Sequence, residues 1–129
     1  MSIHWTQDGS GLRGEVVAEN VGSRACRLAG KPTVAPLAAD GTALPVHNVV
    51  SLEFMEPGYA VLEPGQQAVA RLLWPSWCGQ QASDRARVEW PGGSAVAPVH
   101  GPLQPGCHPD RPGNIVPYWF FVRSGAPDG

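Results

Sequence analysis

The sequence is poor in charge and has none of it in runs. Nine Lys or Arg and 11 Asp or Glu give 129 residues a net charge of −2, with no basic stretch anywhere. A chain without such a stretch gives phosphate backbones and anionic bilayers little to neutralise, which sets nucleic acid and membrane surfaces aside as partners. Long apolar runs are missing too: nothing comes near the ~20 residues of a membrane-spanning helix. The start, MSIHWTQDGSG, has neither the charged opening nor the apolar stretch of a signal peptide. Helical periodicity is also absent. No long window keeps apolar residues at i, i+3, i+4 and i+7, and the 14 prolines recur too often for long helices.

What is present is a globular composition, 43% hydrophobic and 16% charged, with 16 glycines beside the prolines. That glycine and proline content stays just under the roughly 25–30% of low-complexity chains, so the reading is a loop-rich folded protein. The length suits one domain spanning 1–129. Short β-rich runs bounded by turn residues predict strands near 3–7, 13–20, 33–37, 46–53, 59–62, 66–74, 86–90, 95–99 and 115–122. The turns support them. In EPGQ, Pro64 is preset for the second position of a type II turn and Gly65 is free to take the third; ADGT (39–42) and PGGS (91–94) read as hairpin connections.

Alternation sets the faces. Ala68, Ala70, Leu72 and Trp74 share one side of their strand with Arg71 on the other, and Ala86, Val88 and Trp90 oppose Arg87 and Glu89. Half-buried strands of this kind predict two packed sheets, an antiparallel immunoglobulin-like β-sandwich of seven to nine strands, with a closed β-barrel as the alternative. Trp74, Trp90, Leu72, Val88, Val17 and Phe120 are the expected core. Residues 101–113, with four prolines and three glycines, read as an irregular loop, mobile unless tied down, and 123–129 as a flexible tail.

Three segments in order, ENVGSRACRLAGKPTV (19–34), LEPGQQAVARLLWPSWC (62–78) and RVEWPGGSAVAPV (87–99), carry a resemblance. Asn20 and Gly22 form an Asn-x-Gly turn, followed by Cys26, Leu28, Gly30 and Pro32, and then by the Leu62, Pro64 and Gly65 turn. Over roughly 12–122 the sequence resembles domain-of-unknown-function family 4232, small exported modules of actinobacterial lipoproteins and membrane-anchored proteins. The resemblance implies an immunoglobulin-like sandwich and an extracytoplasmic address, and it adds no reaction, because the motifs are patterns of packing and turning. Family members carry an export signal and a cysteine near the first strand, where this sequence reads SIHWT. The expectation is that such a signal precedes residue 1 in the exported protein.

Site chemistry is sparse. His100, Cys107 and His108 fall close together, but structural zinc favours tight pairs such as Cys-x2-Cys, which are lacking, so no metal and no cofactor is expected. His4 and His47 lie in predicted strands and read as structural. No Gly-x-Ser-x-Gly elbow exists, Ser94 belongs to a turn, and pairing Cys78 with a histidine as a dyad has no motif behind it. Glu53, Glu56 and Glu63 cluster in sequence, as solvated loop carboxylates do. The expectation is a protein that is not an enzyme.

The five tryptophans are the remaining unusual feature. Trp74 and Trp90 fall on apolar faces, whereas Trp77 follows a proline at a strand end and Trp119 sits in VPYWFFV, apolar on both faces. Trp77, Tyr118 and Trp119 beside the 101–113 loop are the candidate ligand surface, for a protein, peptide or glycan of the cell envelope. A purely structural spacer is the alternative, with a metal-binding carrier or enzyme a weaker one, and a monomer is expected. Cys78 closes a strand and Cys107 lies in a connection with few other anchors, so a Cys78–Cys107 disulfide is expected in an oxidising compartment. Cys26 reads as an unpaired, buried small hydrophobe whose family partner is the missing early cysteine.

Overall fold

The computed structural model describes residues 1–9, 11–49 and 59–123. The strands are β1 (Ser2–Asp8), β2 (Gly11–Glu19), β3 (Cys26–Ala29), β4 (Thr33–Pro36), β5 (Tyr59–Leu62), β6 (Gln67–Trp74), β7 (Arg85–Trp90), β8 (Gly93–His100) and β9 (Val116–Val122), and among the described residues there is no helix. The fold is all-β. Seven strands form one sheet in the order β4-β7-β8-β1-β2-β6-β9, and β3 pairs with β5 in a second. Pairing is antiparallel except between β1 and β8, which run parallel through Ile3–Val99 and His4–His100. The expectation of a purely antiparallel sheet is corrected at that pair. The large sheet curls, and Leu28 and Leu62 of the small sheet meet its inner face in one core, an arrangement consistent with a sandwich.

The faces follow from alternation wherever one phase is available. Ala68, Ala70, Leu72 and Trp74 are fully buried and Arg71 is exposed; Ala86 and Val88 are buried between exposed Arg85, Arg87 and Glu89. Two expected core residues are corrected. In β2 the adjacent valines allow either phase, and the one adopted buries Val16 opposite Ile3 and Ala70, leaving Val17 half-buried. Trp90 ends β7 half-buried over Gly93, at the hairpin tip.

β9 breaks alternation for an identifiable reason. Ala70 pairs with Phe120 and Leu72 with Pro117, so Tyr118 and Trp119 together oppose the single residue Arg71. This one-residue bulge turns both Pro117 and Phe120 inward although they are three positions apart. A proline inside a strand is the sequence mark of such a bulge or an edge.

The turns fall where their residues demand. Gly65 takes φ of 85° while Gln66 N–H donates to the Glu63 carbonyl at 3.0 Å, and the turn carries the chain from the small sheet to the large one. Gly92, at φ 106°, follows Pro91 in the two-residue loop that joins β7 to β8. The two sequence motifs around Asn20 and Pro64 meet. The buried Asn20 side chain donates to the carbonyls of Arg24 and Leu62 and accepts from Gly22 N–H, while its backbone bonds Gln66 O and Gly65 N.

The expected strand over 46–53 is not found in its described part. Residues 46–49 contribute one parallel bridge, Asn48 to Ile115, and 50–53 lie outside the described residues. In its place stands β3, over Cys26–Ala29, which sequence reasoning passed over.

Candidate functional site

Trp74 lies at the centre of one end of the molecule. Its ring is tilted against Trp5 at 5.7 Å and Trp77 at 6.0 Å, and its indole N–H donates to the Gly113 carbonyl at 3.1 Å. Trp77 is half-buried; its ring covers Gly79, where a Cβ would collide with it, and its N–H donates to Gln80 O at 2.7 Å. Cys78 and Cys107 form a disulfide with Cα atoms 4.6 Å apart. Beside it the buried Ser76 hydroxyl accepts from His108 N–H at 2.8 Å and donates to His108 O at 3.1 Å. The Trp77 backbone N–H donates to Gly106 O, the Gln104 side chain accepts from Ala82 N–H, and Pro105 is buried. Residues 101–113 contain no strand or helix and are tied down at Gln104, Gly106, Cys107, His108 and Gly113. A disulfide of this kind fits an oxidising environment.

The second place of interest is where the edges of the curled sheet come together. β4 is one edge strand and β9 the other. The Asn48 side chain accepts from Val34 N–H at 2.8 Å and donates to Val34 O at 2.9 Å, the two bonds a neighbouring strand would make. On its other side the same segment pairs with the base of β9: Ile115 N–H donates to His47 O and Val49 N–H to Ile115 O, both at 2.9 Å. One amide side chain therefore links the two edges. Beyond that link the seam leaves a groove of about 350 Å³, lined by Lys31, Pro32, Thr33, Asn48, Val49, Pro117 and Trp119. The Lys31 ammonium lies 5.2 Å from the centroid of the Trp119 ring, a cation–π arrangement.

The candidate residues are thus separated by role. Trp119 lines the groove, Tyr118 shares the bulge beside it half-buried, and Trp77 packs at the disulfide end. Cys26 is a free cysteine, but it is exposed at the first residue of β3, which corrects the expected burial. His4 stacks on His100 at 4.8 Å and bonds the Ser2 hydroxyl; His47 is exposed. Glu53 and Glu56 lie outside the described residues, and Glu63 is exposed in its turn. Among the described residues no three metal-ligating side chains come together. The groups missed from sequence are Asn48, Lys31, Pro32 and Pro117. The one signal available was Asn48 itself, a polar residue inside the apolar run VHNVV.

A curled all-β scaffold built on turn and packing motifs is the class these observations define. The chain belongs to the family described as domain of unknown function (DUF4232), whose model matches residues 5–115. The match holds both the Asn20 and the Pro64 motifs and ends before β9, so it covers one wall of the groove and not the wall made by Pro117 and Trp119. No curated protein and no solved structure matches the chain.

Proposed function

We propose that the protein is a non-catalytic extracytoplasmic binding module that takes an extended, proline-containing segment of a cell-envelope protein in the seam groove. The observation that carries this reading is the chemistry of the lining. Pro32, Val49, Pro117 and Trp119 supply apolar walls, and the polar side chain at their centre, Asn48, has its amide engaged with Val34. A sugar needs several polar partners for its hydroxyls, and this groove has few to give. A prolyl peptide asks mainly for aromatic and apolar surface, and the preformed extended conformation lowers the entropy lost on binding. An exported setting agrees with the disulfide.

The test is amide chemical-shift mapping with a proline-rich peptide, and with a neutral oligosaccharide in parallel. Peptide-induced shifts confined to 31–34, 48–49 and 118–120, abolished in Trp119→Ala and weakened in Lys31→Glu, are expected. Circular dichroism of both variants separates lost binding from lost fold. Shifts centred on 101–113, or a response to the oligosaccharide alone, would contradict the reading.

A further inference from the structure

The exposed face of the large sheet gathers charge that is scattered along the sequence. Register aligns His100, His4, Glu15 and Arg71 in one row across β8, β1, β2 and β6, and the next row places Thr6 opposite Arg13. Together they border a depression of about 560 Å³ lined by His4, Thr6, Arg13, Gly14, Glu15 and Arg71, none of which lines the seam groove. Its one carboxylate, Glu15, forms a salt bridge with Arg123. Arg71 lies with its guanidinium 5.5 Å from the Phe121 ring, which holds it against the sheet. Among the described residues neither Arg13 nor Arg71 forms an ion pair. Three arginines therefore face one glutamate here, in a protein whose net charge is −2.

Register sets the two arginines diagonally across one pair of strands. Arg13 opposes Leu73 and Glu15 opposes Arg71, so Arg13 and Arg71 are diagonal cross-strand neighbours on one face, roughly 7–8 Å apart at the backbone. Their long side chains can close on one tetrahedral anion, each presenting the planar fork that matches phosphate oxygens. Thr6 adds a hydroxyl. His4 adds a ring whose position is set by its stack on His100 and its bond to Ser2. We propose that this depression binds a phosphate group, held between Arg13 and Arg71 with Thr6 and His4 as hydrogen-bonding partners. The phosphate can belong to a soluble polyanion or to a lipid headgroup; the recognising chemistry is the same.

Titration calorimetry with inorganic phosphate and tripolyphosphate, and sedimentation with phosphatidylglycerol and phosphatidylcholine vesicles, distinguishes the sources. Arg13→Gln and Arg71→Gln are each expected to weaken binding about tenfold, the loss of one charge-assisted contact. Arg87→Gln removes the same charge from β7, away from the depression, and is expected to leave binding unchanged. Saturable tripolyphosphate binding with that pattern assigns a soluble polyanion; the pattern on phosphatidylglycerol vesicles alone assigns a lipid. Absence of saturable binding to every probe, or equal losses in all three variants, overturns the proposal. All three arginines are exposed, so folding is not at risk, and circular dichroism checks it.

Discussion

The corner around Cys78–Cys107 and the seam around Asn48 both join chain segments that are not neighbours in a regular ladder, and they do so with opposite means. At the corner a covalent bond, a buried serine bridging both backbone groups of His108, and tilted, contacting tryptophans tie the irregular loop down. At the seam, among the described residues, one amide side chain hydrogen-bonds across the strand edges, and an apolar groove lies beside it. Loop-rich sequence suggested that the corner would be the adaptable, ligand-facing part. The structure locates the lighter closure between strands, at the Asn48 bridge.

Breaking the corner has the largest expected effect. Replacing Cys78 and Cys107 by serine opens a loop with a sequence separation of 29, and stability falls by about 3–4 kcal/mol in the chain-entropy account. Urea unfolding of the double variant measures it. If the corner is already fixed by Ser76, Trp74 and Trp77, the native loop keeps its amide shifts despite the loss; a loop that becomes disordered would show that the disulfide alone held it.

Breaking the seam is expected to be milder. Asn48→Ala removes two hydrogen bonds and exposes Val34 N–H and C=O at an edge, a loss of about 2 kcal/mol. Its distinctive consequence is local: Val34 N–H loses protection while the Ser76–His108 bridge keeps its own. Unchanged protection at Val34 would mean that something other than Asn48 closes the seam.

The smallest effect comes from a turn outside both regions. Asp40 is exposed, and its carboxyl is held below its ordinary 3.8 first by the Thr42 hydroxyl and then by Thr42 N–H. A carboxyl lowered on folding stabilises the native state above its unfolded pKa, and the contribution disappears as pH falls through the folded value. Asp40→Asn should therefore show a slight deficit in melting temperature at pH 7 that shrinks in acid below 3.8. A deficit that grows in acid would contradict this.

Much of the fold was legible because turn chemistry and alternation agreed. Pro64-Gly65 and Pro91-Gly92 located their turns, and β6 and β7 each had a single workable phase. Where two phases were available the reading failed, as at Val16 and Val17. β3 was missed because Cys-Arg-Leu-Ala offers four residues and little β-branched character. The site was less legible than the fold. The pairing of Cys78 with Cys107 could be argued from a strand end and an unanchored loop, and Trp119 could be singled out as an aromatic on a two-faced strand. The groove itself could not, since it exists only where the curl brings residues 31–33, 48–49 and 117–119 together. The arginine pair is hidden for the same reason: Arg13 and Arg71 become neighbours only through β2–β6 register.

Native-state hydrogen exchange of two amides tests the contrast most directly. His108 N–H is bonded to Ser76 at the corner, and Val34 N–H to Asn48 at the seam, at the same 2.8 Å. Each amide has a side-chain oxygen as its acceptor, so any difference in protection reports the opening of its surroundings. The account predicts that Val34 exchanges through a local opening, well below the global unfolding free energy, while His108 exchanges close to the global limit. His108 exchanging as fast as Val34, or faster, would contradict it.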